Sequence, residues 1–82
     1  MENINRERVI ALLNDIMKYE LAGVVRYTHS ALMVVGPYRE SLVTYFNEQS
    51  SESLLHAQSA GELLVSLGGP VSYTHLTLPT KA

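Results

Sequence analysis

Apolar residues fall at helical intervals over two long stretches of the chain, and glycine–proline pairs mark where each stretch stops. Residues 5–35 hold no proline and a single glycine, Gly23; Val9, Leu13, Ile16, Val24, Tyr27, Ala31 and Val34 form one stripe, the spacing that keeps side chains on one face of an α-helix. Asn3 or Asn5 caps its start, and Glu7 lies in the first turn, where the helix dipole favours a carboxylate. Gly36-Pro37 ends it, because glycine accepts a left-handed cap and proline cannot extend the hydrogen-bond ladder. The second stretch, 38–67, carries Leu42, Tyr45, Ala60, Leu63 and Leu67 on one stripe and stops at Gly68-Gly69-Pro70. Helices of about 30 residues are about 45 Å long, far beyond the average globular helix. Two of them joined by a tight turn predict an all-α antiparallel hairpin, half of a long four-helix bundle. Two helices alone enclose no core, so the apolar faces require a second hairpin from the same chain or another copy.

Composition narrows the function classes. The chain has 82 residues, with six Lys and Arg against eight Asp and Glu, which argues against a nucleic-acid-binding surface. With no cysteine, disulfides and thiolate metal sites are excluded. No apolar run is longer than residues 31–35, far short of the roughly 20 residues that span a bilayer. The first residues lack the basic-then-apolar layout of a signal peptide. The expectation is a cytoplasmic chain with neither membrane nor nucleic-acid partner.

Three polar residues interrupt the apolar stripes. Glu20 lies within about 40° of Leu13, Ile16, Val24, Tyr27 and Ala31 on a helical projection. A carboxylate there must be neutral, paired with Tyr27 or backbone, or bound to a metal. On the second helix His56 shares the stripe of Leu42, Tyr45, Ala60, Leu63 and Leu67 and is expected to point inward, with Glu52 four residues earlier on the same side. A lone inward histidine is usually a satisfied core residue. Carboxylate and imidazole together, however, suit iron, manganese or zinc. Folding the hairpin at Gly36-Pro37 sets Glu20 opposite position 53, between Glu52 and His56. One Glu from one helix and a Glu–His pair from the next is half of a four-helix carboxylate metal site.

These residues carry a family resemblance. Residues 5–70 resemble the first half of a bacterioferritin or a closely related ferritin-like di-iron carboxylate protein. Glu20-Leu21-Ala22-Gly23-Val24-Val25-Arg26-Tyr27 is similar to the family's first-helix motif, with Glu and Tyr seven apart. Glu52-Ser53-Leu54-Leu55-His56-Ala57 is similar to its second-helix motif, and Leu67-Gly68-Gly69-Pro70 to its helix end. The resemblance implies iron storage or detoxification by a ferroxidase, which oxidises Fe(II) with oxygen or peroxide at a di-iron centre and assembles as a homo-oligomeric shell. It makes Glu20 and His56 metal ligands and Tyr27 a hydroxyl behind them. The family's bridging Glu would fall at Ser53, so Glu52 becomes the substitute ligand. Its haem-ligating Met would fall at Leu54, which has no lone pair, so no haem is expected.

Residues 71–82 break every pattern before them and resemble the in-frame translation of a sequencing-library adapter. The expected organisation is therefore 1–70 as the N-terminal half of a ferritin-like domain and 71–82 as a non-native or disordered tail, giving Tyr73 and His75 no functional weight. Such a fragment carries half the site and is inactive alone. Two alternatives compete: a metal-free two-helix dimerisation module, and a two-helix ferritin-like subunit that completes its site by homodimerisation. His29, about 180° from Glu20, is expected in solvent. Met17 and Met33 read as core or interface filler, and Tyr19 and Tyr45 as ordinary amphipathic packers.

Overall fold

A computed structural model describes residues 5–71 and shows two antiparallel α-helices, α1 at Arg6–Met33 and α2 at Arg39–Ser66. Asn5 caps α1, its side-chain oxygen accepting from the Arg8 amide at 3.1 Å. The helix stops two residues before the glycine: Val34 is already extended, and Gly36 turns the chain at a φ of 115°. Arg39 closes the turn by donating from Nε to the Val34 carbonyl at 3.0 Å. At the far end Gly68, with φ of 80°, makes a Schellman cap. Its amide bonds to Val65 at 2.8 Å and the Gly69 amide to Leu64 at 3.1 Å, satisfying carbonyls the helix leaves open. The Arg6 guanidinium donates to the Leu67 carbonyl and Asn14 Nδ2 to that of Pro70 at 3.1 Å, tying the end of α2 to the first turns of α1. Tyr73, His75 and all of the expected tail after Val71, together with the alternative cap Asn3, lie outside the described residues.

The core is a thin seam between the helices: Leu13, Met17, Ala57, Ala60 and Leu64, with Val9, Ile10, Leu21 and Leu67 packed against it. Here the stripes expected from periodicity need correction. Leu13, Ala31 and Ala60 are buried as expected, but the fully buried side chain is Leu64 rather than its neighbour Leu63, and Met17 fills the seam in place of Ile16. Ile16, Leu42, Tyr45 and Leu63 stay exposed. Each helix is apolar over more of its circumference than one neighbour can cover. The hairpin seam takes one strip, and a second strip beside it is left facing outward.

The facing levels are also displaced by about a turn. Glu20 does not sit opposite residue 53. Gly23 does, and Glu20 meets His56 instead. Gly23 and Ser53 are small enough to take the level where the helices run close, which leaves the longer Glu20 and His56 to reach each other beside it.

Candidate metal centre

Glu20 leaves the middle of α1 on the edge of the seam, and His56 leaves α2 at the same level. Their nearest atoms, Glu20 Oε2 and His56 Nδ1, are 3.4 Å apart. That is a long hydrogen bond. It is also close to the separation two donors adopt when each sits about 2.1 Å from one divalent ion. Glu20 is largely shielded, with 19% of its side chain exposed, whereas His56 is 59% exposed. The inward orientation expected of His56 is thus corrected. Its Cβ lies beside the hairpin seam, on the outward strip with Tyr45, Glu52 and Leu63, and only the ring reaches back to Glu20. These four positions fall within about 40° of one another on α2.

Both residues line a cavity of about 170 Å³, with Glu52, Tyr27 and Gln49 around it. Glu52 is exposed and stands at the mouth. Among the described residues, no three carboxylate or imidazole groups come close enough to hold an ion together. One hairpin therefore offers a converging pair of donors with a third carboxylate nearby, rather than a closed coordination set. Tyr27 is held by its ring, which stacks on Phe46 at 6.4 Å between centroids; Phe46 in turn meets Tyr45 edge-on at 5.5 Å. Above this level Thr28 Oγ1 and Ser50 Oγ lie 2.9 Å apart, a hydroxyl contact across the helices that keeps them in register. His29 is exposed on the far side, as expected.

Four further residues at the cavity escape a search for ligands. Tyr19 and Arg26 form its rim, the guanidinium 5.9 Å over the Tyr19 ring, so Tyr19 is a platform for a cation rather than a simple packer. Gly23 and Ser53 form its floor. Ser53 is the one buried polar residue of the described chain. Its place is readable from Ala57, four residues on and at the centre of the seam. A glycine inside a helix with no turn to make is the other available signal, since it marks a close approach. Leu54, on the opposite flank, lines an apolar groove with Met17, Leu21 and Val65.

Compared with known families, residues 10–81 match the ferritin-like domain, a span that takes in almost all of α1 and the whole of α2. No curated protein and no solved structure matches the chain.

Proposed function

The chain belongs to the ferritin-like domain family, and on that premise we propose that it handles iron, with Glu20, Glu52 and His56 as its half of a ferroxidase site. The observation that carries this reading is the Glu20–His56 contact at 3.4 Å: two metal-ligating groups from different helices meet at one cavity, at positions where the family's own pattern has ligands. Iron is the substrate here. Each Fe(II) gives up one electron to oxygen or peroxide, and the ferric product is retained. The chain's residues supply the surroundings for that change. Glu20 and Glu52 place negative charge where the metal gains positive charge. His56 contributes a neutral nitrogen donor, and Tyr27 lines the same cavity with its ring fixed by Phe46. Glu52 is exposed at the same cavity, where its carboxylate attracts an arriving cation. Residues 1–70 act in this reading as half of a four-helix unit, so the complete site needs a second hairpin carrying an equivalent set. The cellular role is storage or detoxification of iron in a homo-oligomer, with neither nucleic acid nor membrane as partner. No helix among the described residues is long and apolar enough to cross a membrane.

Titration with Co(II), followed by its visible absorption, tests the assignment. The unaltered chain takes up the ion, and Glu20→Ala or His56→Ala removes uptake while helicity by circular dichroism is unchanged. Fe(II) oxidation in air follows the same order only where a second hairpin completes the site, since one hairpin carries half of it. If both variants bind as the unaltered chain does, the metal reading fails. What then stands is the alternative that the exposed Ile16, Tyr45 and Leu63 favour: a metal-free helical pair that associates through its apolar faces. That alternative leaves the Glu20–His56 contact without a role.

A further inference from the structure

We infer that Gly23 and Ser53 form a positioning pair, setting how closely the helix bearing Glu20 approaches the helix bearing His56 and hence how tightly the site holds a metal. The inference rests on the metal reading above and adds residues that are not themselves ligands. Gly23 serves no turn: it lies inside α1, and positive φ among the described glycines is confined to Gly36 and Gly68. Its backbone could be that of any residue. The space around it could not. A Cβ there would stand 3.1 Å from Ser53 Oγ, 3.6 Å from Ser53 Cβ and 3.8 Å from the Arg26 guanidinium. The first distance is tighter than side chains ordinarily tolerate, so the buried Ser53 must give by a few tenths of an ångström. Gly61 is the contrast, since a Cβ there meets only Met17 Sδ, at an ordinary 3.6 Å.

Glu20 lies three residues before Gly23 and His56 three after Ser53, so the close crossing and the ligand pair are less than one helical turn apart. Anything that wedges Gly23 from Ser53 also draws Glu20 Oε2 from His56 Nδ1. Residues that orient ligands without touching the metal commonly change its affinity by 10–100-fold, and a displacement of a few tenths of an ångström belongs at the low end.

The test is a mutant cycle on the full 82-residue chain. Gly23→Ala is expected to weaken Co(II) binding about tenfold, with Ser53→Ala measured beside it as the background for the double variant. The double variant recovers affinity, because removing Oγ leaves only the Cβ contact at 3.6 Å. Gly61→Ala, an equal gain in helix propensity away from the cavity, leaves binding unchanged. Without metal, Gly23→Ala raises Tm more in the Ser53→Ala background than in the unaltered chain, the non-additivity of residues in contact. If Gly23→Ala binds Co(II) normally while His56→Ala does not, the positioning role is overturned and the metal reading survives. If His56→Ala binds normally, or the unaltered chain takes up no Co(II), the metal reading falls and this inference's claim on affinity falls with it. Additive Tm changes overturn the close crossing itself.

Discussion

Residue 53 is where the chain's chemistry departs furthest from the pattern it resembles. The pattern has a carboxylate three residues before the histidine, and the chain has instead a buried serine packed against Gly23. Ser53→Glu puts a longer, charged group into that crossing. Without metal it is expected to destabilise the hairpin by at least about 1–3 kcal/mol, the cost of a buried polar group with no partner, which is higher for a charged one. With metal the sign changes. The new carboxylate lies on the floor of the Glu20–His56 cavity, so Co(II) should raise the Tm of the variant by more than it raises that of the unaltered chain, because binding to the folded state alone adds to stability. Thermal unfolding with and without Co(II) checks both halves. Equal metal-induced shifts would mean that position 53 does not face the bound ion.

At the scale of the helices, stability rests on a thin seam and on well-made ends. Gly68 has a φ of 80°, and a Cβ on it would lie 2.9 Å from the Arg6 guanidinium, the same group that bonds to the Leu67 carbonyl. Gly68→Ala is therefore expected to cost about 1–3 kcal/mol of strain. Asn5→Ala should cost about 1 kcal/mol through the lost cap. Urea unfolding followed by circular dichroism measures both, and Gly68→Ala should be the more damaging because it breaks the α2 cap and disturbs the Arg6 tie together. These ends were legible in the sequence, because Gly36-Pro37 and Gly68-Gly69-Pro70 have one cheap conformation each, and both helices stop within two residues of the expected place. Which face each helix turns inward was less so. Periodicity put Leu63 on the inward stripe, but the apolar strip is broad enough to include its neighbour, and the partner helix decides for Leu64. The facing levels were legible only to within a turn, since the small pair Gly23 and Ser53 sets the stagger and neither belongs to the hydrophobic pattern. Glu20, Glu52 and His56 stood out as polar interruptions. Arg26 and Tyr19 did not, because a charged and an amphipathic residue on a helix surface are what any helix carries.

The whole hairpin leaves apolar surface on two flanks, and the flanks are not equivalent. One carries Ile16, Tyr45 and Leu63 around the Glu20–His56 pair. The other carries Leu54 and Val65 over a groove of about 630 Å³ floored by Met17, Leu21 and Ala57. Surface of this kind drives association. The metal reading makes the first flank the one that must be covered for a full ligand set, since among the described residues three donors do not converge within one hairpin. Replacing Tyr45 and Leu63 together by Glu is expected to reduce the assembly seen by sedimentation and to weaken Co(II) binding in step with it. Replacing Leu54 and Val65 together by Glu changes association through the other flank and leaves Co(II) binding intact, because the apolar groove they line is not the cavity of Glu20 and His56. Exposed His56 adds a reason for the difference. With 59% of its side chain exposed, its ring has a partner on one side only, and a second hairpin over that flank is what would remove water from the other. Should the Leu54 and Val65 variant lose the metal while the Tyr45 and Leu63 variant keeps it, the site-bearing flank would not be the one that pairs, and the donors beyond Glu20, Glu52 and His56 would have to come from elsewhere.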